Sequence, residues 1–221
     1  SGGSKLGYWD SSSNPINNHN NLFTDAIYHG GDVNISGNVD ISGNITVDGS
    51  HNSIGKGCTA SGNYSTAMGK NTDASGDYSF AVGQDCSASG DYSTAMGQNT
   101  KALGVNSVAM GYGTHAIGNY SFAMGDVTSA NSKWSMAMGQ GTTASGHYSV
   151  AMGYRTTASG HKSVAMGGGS IASGNYSFAA GQDCSAIGSN AVAMGGNTKA
   201  LGNFSTAMGA DTTASGDYVA A

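Results

Sequence analysis

The side chains best suited to bind a ligand are aromatic rings that recur every 14 residues. Stacked rings present flat apolar faces to which sugars or other partly apolar ligands can bind. If each repeat is one coil of a stack, successive rings lie about 4.8 Å apart, the spacing of paired strands. The simpler interpretation is that the rings pack on one another at a turn and seal the seam between chains. The candidate ligand-binding residues are Tyr64, Tyr78, Tyr92, Tyr120, Trp134, Tyr148 and Tyr176, and the column continues at Phe204 and Tyr218.

Two histidines and three cysteines are the other chemically versatile residues. His147 and His161 share one column in adjacent coils, so their Cα atoms should lie about 4.8 Å apart. No carboxylate accompanies them, and we therefore interpret them as exposed histidines and predict no metal site. Cys58, Cys86 and Cys184 stand where threonine is usual, and the first two should be about 9.6 Å apart, beyond disulfide reach. We expect free, buried thiols that fill space.

Composition and motifs argue against enzyme and nucleic-acid-binding functions. We find no catalytic triad, phosphate-binding loop or pair of catalytic carboxylates, and we predict no catalytic residue and no cofactor. The net charge is -5 and only 10% of the residues are charged, which leaves no basic stripe for nucleic acid or an anionic membrane. No apolar run approaches the roughly 18 residues that span a bilayer. The 37 glycines are turn residues rather than a phosphate cradle.

A strict 14-residue repeat positions these side chains. Glycine recurs at this interval twelve times, from Gly55 to Gly209, and a second glycine lies halfway in each unit from Gly62 to Gly216, with one lapse at Ser132. Such a unit holds two short strands and two turns and is too short for a helical hairpin. The period therefore predicts an all-β solenoid of parallel coils, each of which is stable only when stacked on its neighbours.

The small residues of the repeat predict the interior of each coil, because alternate residues of a strand share a face. The position of Ala67 is alanine in eleven coils, from Ala67 to Ala207, and the position of Ala74 is alanine in twelve, from Ala60 to Ala214. The position of Ser65 is nearly always serine. The position of Thr72 holds only Thr, Ser or Cys. Columns of such uniform small size indicate a tight space between two strand layers. Because the threonine column points inward, an outward rank of threonines that binds ice is disfavoured.

The opposite face of the first strand carries a continuous stripe of large apolar residues. On an isolated rod this stripe would be exposed to water, which is unfavourable. The opposite face of the second strand is polar and mixed, with Asp73, Lys101 and Thr143 among its members. Identical chains rotated about the long axis would cover the stripe. We expect a homotrimer, since three flat faces fill space well around one axis, although the pattern alone does not fix the number of chains. The predicted trimer-interface residues are Met68, Phe80, Met96, Val108, Met110, Phe122, Met124, Met138, Val150, Met152, Val164, Met166, Phe178, Met194 and Met208.

Three segments follow one another along the chain. Residues 1–32 are polar and irregular, and their leader Ser1–Ser4 resembles an expression tag, so we expect a fragment of a longer protein. Residues 33–50 contain a six-residue repeat in which valine or isoleucine alternates with polar residues and glycine closes each unit. This hexad repeat predicts a thin β shaft. Residues 51–221 hold the 14-residue array, the predicted head.

The columns of the array match a known family. The run Asn106–Gly111 (NSVAMG), followed by Thr114, Ala116 and Gly118, resembles the head repeat of YadA-like trimeric autotransporter adhesins. The resemblance covers all twelve coils, with methionine where the family usually has isoleucine. It implies a left-handed parallel β-roll, three chains per head, and display outside a cell for attachment. In the N-terminal part, the segment Trp9–Asp10, the pair Ile27–Tyr28 and the hexads Val33–Ser50 are similar to the shafts of phage and algal-virus tail-fibre-like proteins.

These features together predict a function in attachment. The main hypothesis is a trimeric adhesin or fibre head, on a bacterial cell or a virion, that binds host cells, matrix proteins or glycans through many weak contacts. The alternative is a structural spacer of a phage or algal-virus tail fibre without a receptor site of its own. Under both hypotheses the protein is extracellular and associates with further copies of itself as a homotrimer. We expect neither nucleic-acid binding nor direct membrane insertion by this chain.

Overall fold

The computed structural model describes residues 51–221, and the predicted segments 1–32 and 33–50 lie outside the described residues. Residues 51–221 form two twelve-stranded sheets in which neighbouring strands are parallel, and this range contains no helix. Each coil adds one strand of five or six residues to the first sheet and one strand of two residues to the second. The predicted all-β parallel solenoid with 14-residue coils is therefore confirmed.

The first sheet contains the odd-numbered strands β1 (His51–Lys56), β3 (Ser65–Lys70), β5 (Phe80–Gln84), β7 (Thr94–Gln98), β9 (Val108–Tyr112), β11 (Phe122–Asp126), β13 (Met136–Gln140), β15 (Val150–Tyr154), β17 (Val164–Gly168), β19 (Phe178–Gln182), β21 (Val192–Gly196) and β23 (Thr206–Ala210). The second sheet contains the even-numbered strands β2 (Thr59–Ala60), β4 (Asp73–Ala74), β6 (Ser87–Ala88), β8 (Lys101–Ala102), β10 (His115–Ala116), β12 (Ser129–Ala130), β14 (Thr143–Ala144), β16 (Thr157–Ala158), β18 (Ile171–Ala172), β20 (Ser185–Ala186), β22 (Lys199–Ala200) and β24 (Thr213–Ala214).

Successive coils are in register at an offset of one repeat. In the first sheet Ala67 pairs with Ala81, and in the second Ala74 pairs with Ala88. Side chains of the same column therefore lie directly beside one another along the stack. The residues of one sequence column therefore form a continuous row along the solenoid. Each row lies on the surface or in the core.

The interior consists of the small columns, as predicted. The alanines of the two alanine columns from Ala67 to Ala214 are 0% exposed, and Ser65 and Thr72 are equally buried. Alanine buries little apolar surface, so one coil contributes little hydrophobic stabilisation. Stability must therefore accumulate over many stacked coils, which is the behaviour expected of a repeat protein.

The glycines that end the strands of the first sheet are required by both conformation and space. Gly97 has φ +122°, and a Cβ added there would overlap the carbonyl oxygen of Gly111 in the next coil. L-residues rarely adopt such a φ, and the stacked backbone leaves no room for a side chain. The same combination recurs down this column, which explains why its period is unbroken.

The one lapse in the second glycine column changes the hydrogen bonds of its corner. At nine other corners, from Gly62 to Gly188, the glycine N–H donates to the alanine carbonyl of the next coil, as Gly118 does to Ala130 at 3.3 Å. Ser132 instead donates its N–H to Oγ of Ser135 at 3.2 Å, and its own hydroxyl donates to the carbonyl of Ser145 at 2.7 Å. The serine side chain thus replaces the inter-coil bond that the backbone would otherwise make.

Candidate functional site

The aromatic column lies at the corner just before each strand of the first sheet, and its rings stack along the solenoid. Tyr78 and Tyr92 have ring centroids 4.9 Å apart and planes 3° from parallel. Trp134 and Tyr148 stack at 4.8 Å, which agrees with the predicted spacing. The column forms three face-to-face stacks, namely Tyr64/Tyr78/Tyr92, Tyr120/Trp134/Tyr148 and Phe204/Tyr218.

Cationic and imidazole groups fill one break between these stacks. Lys162 interrupts the column, and its Nζ lies 5.9 Å from the ring centroid of Tyr148 and 5.4 Å from that of Tyr176. The ring of His161 makes edge contacts with the same two tyrosines, at 5.9 Å and 5.7 Å. Further along, Lys133 lies 4.2 Å above the ring of Trp134. The ladder is therefore an aromatic surface with positive charges held against it.

The ladder is accessible to a ligand in the single chain. Its seven predicted ligand-binding residues are between 41% (Trp134) and 65% (Tyr64) exposed. Ring stacking covers the faces that look along the solenoid and leaves the ring edges and hydroxyls in solvent. A ligand would therefore meet a row of edges and hydroxyl groups rather than open ring faces.

The backbone beneath the ladder is in the left-handed region, where aromatic residues are uncommon. Tyr78 has φ +55° and Trp134 has φ +56°. A second column with φ near +54° follows each strand of the first sheet, and there Asn, Asp and Gly dominate, as at Asn71 and Asp85. Those residue types suit this conformation, whereas an aromatic ring gains nothing from it. Local backbone preference therefore does not explain the aromatic column.

The apolar stripe on the outer face of the first sheet is half-exposed along its length. None of the fifteen predicted trimer-interface residues is buried in the single chain. Met208 is the most exposed of them, and Met110 is partly covered by its column neighbours. A continuous apolar stripe of this kind marks an interaction surface.

The second sheet is less polar on its outer face than predicted. Leu103 and Ile117 occupy adjacent coils of one column, and Ile187 and Leu201 occupy adjacent coils of the same column further on. All four side chains are exposed. The prediction of a polar face considered the column of Asp73 and omitted the neighbouring column two residues later, which shares that face.

A comparison with protein families decides what kind of solenoid this is. The family model of the YadA head domain repeat matches residues 60–85, 88–114, 102–128, 135–156, 158–183, 186–212 and 202–221, which is more than half of the chain. The chain belongs to the YadA head domain repeat family. No curated protein matches it in addition.

Membership of this family gives the coarse role of the chain. YadA-type heads are β-solenoids of adhesin fibres exposed at a surface, so the chain is an extracellular, adhesin-like fibre segment. Family membership describes an adhesive and structural architecture and supplies no catalytic residue. Within residues 51–221, no helix is long and apolar enough to cross a membrane.

The histidines and cysteines of this YadA-type head are placed apart from one another. The rings of His147 and His161 have centroids 6.5 Å apart and are tilted. The described part of the chain contains no group of three His, Cys, Asp or Glu residues that could hold a metal ion. Cys58, Cys86 and Cys184 are free thiols. Cys86 and Cys184 are buried, as expected for the inward threonine column, whereas Cys58 is only partly buried, and for this residue the expectation was wrong.

Two titratable groups of the head have shifted pKa values. Hydrogen bonds from Asn71 and Gln84, with a smaller effect of Lys70, hold the pKa of Asp85 below its usual range. Partial burial lowers the pKa of His115, and the positive charge of Lys101 in the preceding coil adds to this effect. Both shifts arise between neighbouring coils and belong to no catalytic arrangement.

Proposed function

We propose that the chain is the head of a homotrimeric adhesin that attaches to host-surface proteins or glycans through the aromatic ladder. The observation that carries this proposal is the backbone beneath the ladder. A bulky residue in the left-handed region costs roughly 1–2 kcal/mol, and the column tolerates asparagine at Asn106 and Asn190. Apart from Lys162, the other positions of the column hold aromatic residues, which the backbone geometry does not require. Strained positions of this kind cluster at functional sites.

Stacking offsets part of this cost but does not account for the ladder. Aromatic pairs contribute about 0.5–1.5 kcal/mol beyond their buried area. Tyr176 has no stacked aromatic neighbour among the described residues, yet it has the same positive φ of +57°. It faces His161 and Lys162 instead, groups that donate hydrogen bonds to a polar ligand. A tyrosine at this position fits a binding surface better than a packing ladder.

The exposed apolar stripe supports the assembly of three chains. A second and a third copy of the chain, related by rotation about the long axis, would cover the exposed Met, Val and Phe residues of the outer face of the first sheet. The number three rests on the family, whose heads are trimeric, and on the flat shape of each face. A mass of one chain in light scattering, in the absence of aggregation, would contradict this assembly.

Attachment would be multivalent. Three copies of the ladder run in parallel along a trimer, and each copy repeats its rings at about 4.8 Å. Weak contacts at many equivalent positions give an avidity that exceeds the affinity of any single contact by orders of magnitude. A rigid solenoid suits this mode because its sites are ordered before binding.

The test replaces Tyr78, Tyr92 and Trp134 by asparagine, the residue that the same column holds at Asn106 and Asn190. Asparagine suits the left-handed conformation, so the triple variant should fold and retain its thermal stability within a few degrees. Binding to host cells, matrix proteins or immobilised glycans should be lost. The matched control is the triple change of Gly113, Val127 and Gly141 to asparagine in the other left-handed column, which leaves the ladder intact. If the ladder variant changes only thermal stability, the chain is a spacer of a fibre and the adhesive role is wrong.

A further inference from the structure

A notch in the surface of the solenoid lies where two glycines follow each other at a corner. Gly168 and Gly169 form its floor, Tyr154 and Arg155 of the preceding coil form one wall, and Gln182 and Asp183 of the next coil form the other. Its volume is about 530 Å³, within the range of sites for small ligands. The notch lies at the last residues of β15, β17 and β19 and at the corner residues that follow them. It is separate from the aromatic ladder, which precedes these strands.

The notch exists because one coil lacks the side chains that close the same corner elsewhere. The sequence Gly-Gln-Asp-Cys occurs twice, at Gly83–Cys86 and at Gly181–Cys184. In the first copy the preceding coil supplies Lys70 and Asn71, and the Asn71 amide donates to the carboxylate of Asp85 at 3.0 Å. In the second copy the preceding coil supplies Gly168 and Gly169. A Cβ added at Gly168 would meet nothing within 4 Å.

The carboxylate of Asp183 lacks the partner that its counterpart has. Among the described residues no side chain donates a hydrogen bond to it, whereas Asp85 and Asp211 each accept one from an asparagine of the preceding coil. Its Oδ1 lies over Gly169, in the space that a side chain there would fill. The backbone at this corner is fixed, since the Asp183 N–H donates to the Gly168 carbonyl at 2.7 Å. An acceptor without a side-chain partner, carried on a fixed backbone, is thus available to a ligand.

The opposite wall supplies an ordered donor and an aromatic surface. Arg155 is the sole arginine of the chain, and it stands in a column in which Asn, Asp and Gly are usual. Its guanidinium carbon lies 5.0 Å from the ring centroid of Tyr154, so the side chain is held by a cation–π contact. No acidic group lies within ion-pair distance of this guanidinium among the residues described, and its donors are free to bind a ligand.

We propose that this notch binds one neutral pyranose unit of a glycan. Sugar hydroxyl groups both donate and accept, which matches the Asp183 carboxylate and the Gln182 amide on one wall and the Arg155 guanidinium on the other. The C–H face of a pyranose packs against an aromatic ring such as that of Tyr154. The charges of Arg155 and Asp183 cancel, so the notch favours an uncharged ligand. Two coils, about 9.6 Å, separate the walls, which admits one sugar ring.

The sole arginine provides a readout that is specific to the notch. Protein labelled with ¹⁵N only at arginine gives side-chain and backbone signals from Arg155 alone. Methyl β-galactopyranoside, methyl α-mannopyranoside and methyl β-glucopyranoside serve as probes in titrations of the complete chain. At least one of them should shift the Nε–H signal of Arg155 with millimolar affinity.

Two glycine-to-asparagine variants in one column provide the matched comparison. Gly169→Asn restores the closed corner seen at Asn71, at a φ of +64° that asparagine tolerates. Its Cβ takes the space of the Asp183 Oδ1, so the carboxylate must turn aside and can pair with the new amide. The variant should therefore weaken the titration about tenfold or more. Gly113→Asn makes the same change at φ +60°, four coils away, and should titrate as the wild type does.

Three outcomes would overturn the proposal: no shift of the Arg155 signals with any of the three glycosides, an unchanged titration in Gly169→Asn, or tighter binding of methyl glucuronide than of its neutral counterpart. Because the ladder residues stay intact in both variants, failure at the notch is distinguishable from failure of the proposed adhesive function.

Discussion

The side-chain amide of Asn71 donates a 3.0 Å hydrogen bond to Oδ1 of Asp85, the residue at the same position of the next coil. Gln84 donates to the other carboxylate oxygen at 3.0 Å. Asn197 and Asp211 repeat the asparagine-to-aspartate contact at 2.7 Å near the other end of the array. The surface of the solenoid is thus held together by side-chain bonds between coils as well as by the backbone. The bonds of Asp85 are sensitive to pH, because they lower the pKa of its carboxyl group.

Replacement of Asn71 by alanine should make the thermal stability of the chain less dependent on pH in the acidic range. The pKa of Asp85 is lowered in the folded chain, so its contribution is present above the ordinary aspartate pKa and is lost as the pH falls through the lowered value. The variant should have a lower Tm than the wild type at neutral pH, and the difference should shrink on acidification. Thermal melts at neutral and acidic pH measure both effects. Asn99→Ala is the control, because its column neighbour in the next coil is Gly113; an equal response in the two variants would contradict the assignment.

Replacement of Gly97 by alanine should be among the most destabilising single changes in the array. The added Cβ would overlap the Gly111 carbonyl, and φ +122° is a conformation that alanine avoids. We expect a loss of about 3 kcal/mol or more in the free energy of unfolding, measured by denaturant titration at fixed protein concentration. Gly168→Ala should stay within about 0.5 kcal/mol of the wild type, since nothing lies near its Cβ. Similar losses in both variants would show that space does not determine this column.

Replacement of Ala137 by valine tests the tightness of the core. The alanine is 0% exposed and lies between Ala123 and Ala151 of the adjacent coils. Two added methyl groups should destabilise the fold by about 1–3 kcal/mol through overpacking. Met136→Val is the matched control at the preceding residue, because valine occupies that outer column at Val150. A tolerated Ala137→Val would mean that the two strand layers can move apart.

The three cysteines should react with thiol reagents at different rates. Cys86 and Cys184 are buried, whereas Cys58 is partly exposed near the start of the described range. We expect mass spectrometry after a short incubation with a maleimide to show modification of Cys58 first, and of the other two only after local opening of the coils. Rapid labelling of Cys184 in the folded protein would indicate that the interior of its coil is open to solvent.

Much of the fold follows from the columns of the sequence. A glycine period too short for a helical hairpin predicted the coil, and the uniform alanine at the positions of Ala67 and Ala74 predicted which faces are buried. These predictions succeed because twelve copies of the repeat show the usual residue of each column despite substitutions in single coils. Parallel stacking then places residues of the same column beside one another. The outer apolar residues of the second sheet, such as Leu103 and Ile117, were missed because each occurs in only a few coils.

The site was harder to predict than the coil. The column of aromatic rings was visible in the sequence, but the left-handed backbone at Tyr78 was not, since asparagine or glycine is the usual sign of that conformation. The notch at Gly168 and Gly169 depends on what the two flanking coils present at the same corner. A glycine pair in a glycine-rich sequence gives no sign of an opening until the neighbouring coils are laid beside it.

The strict register of the coils has a consequence for how such genes change. Because every residue contacts its counterpart one repeat away, a whole coil can be duplicated or deleted by recombination between repeats without creating a foreign contact. Each event would alter the reach of the fibre by about 4.8 Å and leave the core unchanged. Substitutions at the outward-facing positions would then make the surface of the copied coil different from that of the original. Length and surface chemistry can therefore evolve separately in this protein.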